Sequence, residues 1–175
     1  AINSSIRRIL QDGQEWPFIK TTYTQTLQVG VTTYSFPADY SSSDWDTFYI
    51  KQLASKVNTP AVLKPMPYEE YTQSHRSADD VAPATGLSAP TQVFQTYDTS
   101  FGVTPVPDAT YEVEYTYWST PASLNLFDDV SIIPERFSHV VIDGAMMYMM
   151  QFRSNAQSAQ MHQASFEDGI KAMRN

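Results

Sequence analysis

Three histidines are the residues of this chain whose type is best suited to catalysis or metal binding. His139 and Asp143 are four residues apart on a predicted helix, so they share a face and could hold a metal ion. A pair on the helix surface is the alternative, and it is the commoner result of this spacing. His75 lies at the end of a predicted short helix, where we expect a solvated side chain. His162 lies on the last predicted helix, where it contacts a partner or nothing.

Two pairs of adjacent acids are the remaining candidates for chemistry, Glu69–Glu70 and Asp128–Asp129. Neighbouring residues on a strand face opposite ways, so neither pair has the geometry of a glycosidase couple. Asp128 and Asp129 are predicted to shape a loop before Pro134. Calcium binding is the alternative, although the regular acid spacing of a calcium loop is absent.

Composition excludes several kinds of site. The sequence has no cysteine, which excludes thiolate nucleophiles, disulfides and cysteine-bound metals. It has six glycines and contains no Gly-rich phosphate loop, no His-Glu-x-x-His motif and no Gly-x-Ser-x-Gly elbow. We therefore expect no catalytic residue, no cofactor and no bound metal.

The chain has 175 residues and a net charge of −8, which fits one acidic domain spanning residues 1–175. Static binding to nucleic acid needs a basic surface and is disfavoured. An acidic wall beside sliding DNA stays open as an alternative. No apolar run approaches the ~20 residues that span a bilayer, so we expect no membrane partner. Because the first residue is alanine, we expect that the start is processed or missing.

Hydrophobic spacing predicts helices at both ends of the chain. The first covers residues 2–14. The second begins at Pro134 and runs to Phe152, and the last covers residues 156–173. A short helix is predicted over residues 67–77, where a proline is followed by two acids.

Alternating patterns predict strands between these helices. The sharpest covers residues 111–118, with Tyr111, Val113, Tyr115 and Tyr117 on one face. Residues 18–29 and 32–36 are predicted to form a hairpin around Gly30. Further strands are predicted over residues 47–53, 61–64, 91–97 and 101–103, the last two as a pair. Polar or proline-bearing loops, which are candidates for docking and movement, are predicted at residues 41–46, 78–90 and 120–131.

The element order predicts an α+β protein. The terminal helices, in residues 1–16 and 134–175, are expected to pack into a helical bundle. Residues 18–120 form an antiparallel β-rich insertion of hairpins, as a small sandwich or barrel carrying one short helix.

The helix that begins at Pro134 has two apolar stripes. One, from Phe137 through Met149 to Phe152, is predicted to face the core. Ile142, Met146, Met147 and Met150 form a second stripe and are the candidate subunit-interface residues. A helix that is apolar nearly all round must be covered on more than one side, and methionine suits irregular contacts. Core packing and an interface between subunits both stay open for the methionines.

Residues 16–40 are predicted to join the helical part to the β part. Trp16 and Pro17 close the first helix, and Pro37, Asp39 and Tyr40 close the predicted hairpin. These five residues are the candidate structural joint.

Several short blocks, taken in order, resemble the head-to-tail adaptor proteins of short-tailed bacteriophages, also called tail tubular protein A. The first blocks are residues 6–18, which end in Glu-Trp-Pro-Phe, and residues 34–40, Tyr-Ser-Phe-Pro-Ala-Asp-Tyr. The later blocks are Thr-Pro-Val-Pro-Asp at residues 104–108, and Ile-Ile-Pro-Glu-Arg-Phe at residues 132–137 followed by Asp-Gly-Ala at 143–145. The resemblance covers most of the chain.

The resemblance implies a structural virion protein at the head–tail junction, assembled in the host cytoplasm. It implies a homo-oligomeric ring, a dodecamer, bound to the portal protein on one side and to the tail nozzle protein on the other. DNA would pass through its channel during genome ejection. The group has no catalytic residues. Related proteins usually carry another leading helical segment.

A β-rich tail or receptor-binding module that recognises a surface glycan is the alternative function. It would require an exposed aromatic cluster on the β part. A hydrolase with an unrecognised site is a third reading, which would require histidine and carboxylates that converge in a deep pocket.

Overall fold

The computed structural model describes residues 1–12, 15–51, 62–97 and 99–174, with the backbone alone at residues 82–85. In this part of the chain the fold is α+β, with five α-helices and two sheets. The helices are α1 (Ile2–Leu10), α2 (Tyr68–Ser74), α3 (Arg76–Thr85), α4 (Ser138–Phe152) and α5 (Ala156–Met173). The strands are β1 (Lys20–Leu27), β2 (Thr33–Ser35), β3 (Tyr40–Ser43), β4 (Tyr49–Lys51), β5 (Lys64–Met66), β6 (Gln92–Gln95), β7 (Ser100–Thr104) and β8 (Tyr111–Ser119).

The chain divides into two compact units. The helical unit comprises Ala1–Ile19 and Pro121–Asn175, and the β unit comprises Lys20–Thr120.

In the helical unit, α4 packs against both α1 and α5. Small residues allow the close approach of the helices. Ser5 is buried and its hydroxyl donates to the carbonyl of Val141 over 3.0 Å. A Cβ added at Gly144 would overlap the Ser5 hydroxyl and the ring of Phe166. The three helices therefore meet at a crossing that only glycine fits on α4.

The last helix has the bounds that the sequence predicts, Ala156–Met173. The Asn155 side chain accepts a hydrogen bond from the backbone amide of Ser158 over 3.2 Å, which satisfies an amide at the helix start. Before α4, residues Glu135–Phe137 form a single 3₁₀ turn, so the α-helix begins four residues after Pro134.

In the β unit, β8 pairs with each of the other three strands of the first sheet. It pairs in antiparallel fashion with β1 along one edge, and with β3 and β4 along the other. The second sheet has the order β2-β7-β6-β5. The predicted buried face of β8 is confirmed, because Tyr111, Val113, Tyr115 and Tyr117 are all buried.

Residues of both sheets share one apolar core. It includes Leu27 and Val113 from the first sheet and Phe101 and Val103 from the second. The ring of Phe48 stacks on that of Tyr115 with centroids 4.7 Å apart. The strictly alternating strand thus supplies one wall of this core.

The hairpin predicted around Gly30 is wrong. Gly30 has a φ of +76° and lies in a turn, but β1 pairs with β8 whereas β2 pairs with β7 in the other sheet. The pairing predicted between residues 91–97 and 101–103 is confirmed as β6 and β7. The β part is not wholly antiparallel, because β5 pairs with β6 in parallel.

Two predicted loops contain regular structure. Residues 76–85, expected to be largely loop, form α3, with Asp79 in its first turn and Gly86 at a φ of +128° just after its end. An acid near the first turn and a glycine after the last one favour a helix here. The serine run at 41–43 lies in β3 rather than in a connection.

Some predicted segments reach beyond the described residues. The first helix ends at Leu10, and residues 13–14 of the predicted helix are not described. The strand predicted over residues 47–53 is β4 at Tyr49–Lys51, with 52–53 outside the described part. Of the strand predicted over residues 61–64, only Lys64 lies in a strand, β5 at Lys64–Met66, while Val62 forms an isolated bridge with Tyr49 and residue 61 is not described.

Candidate functional site

The outer side of α4 exposes an apolar stripe. Ile142 is 60% exposed and Met149 is 42% exposed, while Met146 between them is half-buried. The spacing of these residues is i, i+4, i+7, which places them on one helix face. Arg153 continues the same face at i+11 and is exposed. We call these four residues the α4 stripe.

The four candidate interface residues differ in their exposure to solvent. Ile142 and Met146 belong to the α4 stripe, and Met150 is half-buried beside it. Met147 is buried inside the helical unit, so it is not available to a partner. Met149 and Phe152 belong to the predicted core stripe, but Met149 is exposed and Phe152 is almost wholly so. The i, i+4, i+7, i+11 spacing was the signal that could have found Met149.

Asp143 is paired with a residue other than the one that the sequence suggested. Its carboxylate lies 3.1 Å from Nδ1 of His162, so the contact joins α4 to α5. His139 is exposed. His75 is half-buried at the end of α2. Within the described residues, no three His, Asp or Glu side chains are arranged to hold a metal ion.

The segment before α4 presents a second exposed apolar patch. Leu126 is 75% exposed, Val130 is 89% exposed and Phe127 is fully exposed. We call residues 126–130 the plug. The carboxylate of Asp129 accepts hydrogen bonds from the backbone amides of Asn125 at 2.6 Å and Leu126 at 2.8 Å. Asp129 therefore shapes this loop, as the sequence predicts, and the amides hold its pKa below the ordinary value.

The five candidate joint residues fall in different units. Trp16 is buried in the helical unit, where its indole N–H donates to the carbonyl of Ile9 over 3.0 Å. Pro17 begins a 3₁₀ turn that ends at the last residue before the β unit. Pro37, Asp39 and Tyr40 belong to the β unit.

Asp39 connects two positions at the end of the β unit. Its carboxylate accepts a hydrogen bond from the Tyr117 hydroxyl at 3.0 Å, and its carbonyl accepts one from the amide of Thr120. Burial, reinforced by this carboxylate, raises the pKa of Tyr117 to about 12. Tyr40 stacks on Phe36 with ring centroids 3.9 Å apart. These contacts make Asp39 and Tyr40 structural residues of the β unit.

The β unit also carries an open groove of about 580 Å³ beside β6. Trp45, Tyr68 and Tyr97 contribute rings to its walls. The rings of Tyr68 and Tyr97 meet edge to face with centroids 4.8 Å apart, and Tyr97 is mostly exposed. A glycan-binding function would require an exposed aromatic cluster, and this groove offers the exposed ring of Tyr97 beside the half-buried rings of Trp45 and Tyr68.

Among the described helices, none combines the length and the apolar character needed to cross a membrane. A family model described as SU10 adaptor protein matches residues 1–175, the whole length of the chain. No curated protein is similar enough to the chain to count as a match.

Proposed function

The chain belongs to the SU10 adaptor protein family, and on that premise we propose that it forms a ring that joins the portal to the tail of a phage. Membership makes it a structural component of the virion at the head–tail junction, associated with portal and tail components. We extend this to a homo-oligomeric ring, a dodecamer, in a short-tailed phage. Its partners are the portal protein and the tail nozzle protein, and DNA passes through its channel during genome ejection.

The exposed α4 stripe is the observation that carries the ring proposal. Ile142 and Met149 are large apolar side chains that the described residues leave 60% and 42% exposed. An exposed apolar surface of this kind is typical of a site that a protein partner covers. A ring uses two different patches on each subunit in a contact that closes. We therefore assign Ile142, Met146 and Met150 to the contact between subunits.

The net charge of −8 supports the proposed channel. An acidic chain repeated around a ring repels phosphate, so the genome passes without adhering. Because the family is a structural one, we assign the chain no catalytic activity and no cofactor. We expect assembly in the host cytoplasm before the tail is added.

We also propose that the chain works as one adaptor domain over residues 1–175. The terminal helices form its bundle and residues 18–120 its β-rich insertion. Trp16 and Pro17 on one side, and Pro37, Asp39 and Tyr40 on the other, are the corners of the joint. Two observations support this assignment. The β unit begins at Lys20, directly after the turn that starts at Pro17, and it ends at Thr120, whose amide donates to the carbonyl of Asp39.

A reconstruction of the complete phage particle tests the proposed function. We expect the chain as a closed ring between portal and nozzle. A monomer in solution does not contradict the proposal, because the ring is free to form on the portal alone. Density for this chain elsewhere in the particle, or a non-closed arrangement at the junction, would contradict it.

The aromatic groove supports a second candidate function, the recognition of a surface glycan. Sugar rings stack their apolar faces on exposed aromatic rings, and Tyr68 and Tyr97 offer such a surface. Binding of the full chain to a glycan array tests it. We expect Tyr97→Ala to abolish any specific signal and the distant Tyr23→Ala to preserve it. An array without signal would remove this candidate.

A further inference from the structure

We propose that the plug of one subunit docks on the α4 stripe of a second copy of this chain. The inference rests on the proposed ring and names the contact that builds it. Both surfaces belong to the helical unit, and they are different surfaces. When each subunit docks its plug on the next subunit in one direction, the contact is heterologous, which is the kind that generates a ring when it closes.

The plug is an apolar surface without a cover. Leu126, Phe127 and Val130 lie within five residues, and each exposes three quarters or more of its surface. Single exposed apolar residues are normal on a soluble protein, but a contiguous group marks an interaction site. In the described part of the chain nothing packs over Phe127.

The plug is held in shape before any partner binds. Asp129 accepts two backbone hydrogen bonds inside the loop, and its own amide donates to the carbonyl of Leu126. At the base of the loop, the side chain of Asn3 both accepts from the amide of Leu124 and donates to its carbonyl, at 3.0 and 2.9 Å. A surface that is ordered in advance loses less conformational entropy on docking.

Complementary charges on the plug and on the α4 stripe favour a second copy of this chain as the occupant of the stripe. Asp128, beside Phe127, is exposed and acidic, and Arg153 at the end of the α4 stripe is exposed and basic. Neither of the two forms an ion pair among the described residues. The apolar and acidic plug therefore complements the apolar and basic stripe. Complementary charges at the edge of a contact set its register more than its strength.

Disulfide trapping tests this contact, because the chain has no cysteine of its own. Val130→Cys is placed in one full-length chain and Met149→Cys in a second chain with a different tag. The two are mixed under mild oxidation, alone and in a second arm assembled on the portal complex. Both positions are exposed, so both variants are expected to fold. We expect mixed disulfide dimers in at least one arm.

Charge reversal sharpens the same experiment. Asp128→Arg in the first chain, or Arg153→Asp in the second, is expected to lower the trapping rate about threefold, and the two together to restore it. Tyr97→Cys paired with Met149→Cys is the matched control, since Tyr97 is an exposed aromatic residue of the β unit. It is expected to give no mixed dimer.

Three results would overturn the inference. One is the absence of mixed dimers in both arms. Another is trapping that reversal of either charge leaves unchanged. The third is capture of a portal or nozzle chain by Val130→Cys, with no capture of a second copy, which would assign the plug to that partner. If the particle reconstruction still shows a closed ring at the junction, the proposed function stands and only the plug contact fails.

Discussion

The carboxylate of Asp129 organises the plug through hydrogen bonds to two backbone amides. Protonation removes the negative charge that strengthens these hydrogen bonds. A carboxyl whose folded pKa is depressed contributes stability above its unfolded pKa, and this contribution is lost as the pH falls through the folded value. The contribution of the Asp129 carboxylate to the order of the plug is therefore present above pH 3.8, the ordinary pKa of this group, and is lost as the pH falls through the lower folded value.

Asp129→Ala is expected to release the loop at neutral pH. Without the acceptor, the amides of Asn125 and Leu126 lose their partner and should exchange with solvent about tenfold faster. Amide exchange of the full chain measures this. Asp128→Ala is the control, because Asp128 makes none of these bonds, and equal acceleration in both variants would contradict the assigned role of Asp129.

Tyr117 is expected to make the stability of the folded protein depend on pH in the alkaline range. Its folded pKa is about 12 against an ordinary 10.0, so the folded protein retains a proton that the unfolded chain loses between these values. This stabilisation is fully present below pH 10 and is lost as the pH rises towards 12. Tyr117→Phe should remove a late step from the ultraviolet titration of the tyrosines. An unchanged titration curve would contradict this.

Helices α1 and α5 both approach α4 closely at Gly144. Gly144 lies where Ser5 and Phe166 leave no room for a side chain. Gly144→Val is expected to lower the free energy of unfolding of the helical unit by about 1–3 kcal/mol, because the added methyl groups force the helices apart.

Denaturant unfolding followed by circular dichroism measures the effect of this substitution. Ala164→Val on the exposed side of α5 is the control, since it adds the two γ-methyl groups of valine to a helix without filling a crossing. A loss of stability as small as that of the control would show that the crossing tolerates repacking.

The net charge of −8 on each chain predicts that the assembled protein binds DNA weakly. Binding to duplex DNA depends on neutralising phosphates, and an acidic assembly offers too few cations for it. At a salt concentration of about 0.15 M, where charges are screened beyond ~8 Å, we expect the assembly to retain no duplex. Fluorescence anisotropy with labelled DNA measures this, and tight retention would contradict an acidic channel.

Local patterns predicted the features that depend on a single element. Strict alternation assigned the buried face of β8, and the bounds of α5 were predicted correctly next to the capping residue Asn155. The absence of cysteine and the lack of catalytic motifs limited the chemistry in the same way. These properties follow from the helix and strand periods and from side-chain type, so a short stretch of sequence is enough to predict them.

Only the tertiary structure decided which elements meet and which surfaces stay uncovered. Gly30 turns the chain, but β1 pairs with β8 in one sheet and β2 pairs with β7 in the other, and both partners come much later in the sequence. Met147 and Met149 are two residues apart, and one is buried while the other is exposed. The exposure of the plug likewise depends on what packs nearby. Burial depends on which elements pack against a residue in the folded protein. The sequence pattern therefore indicates two apolar stripes on α4 without showing which one stays exposed to a partner.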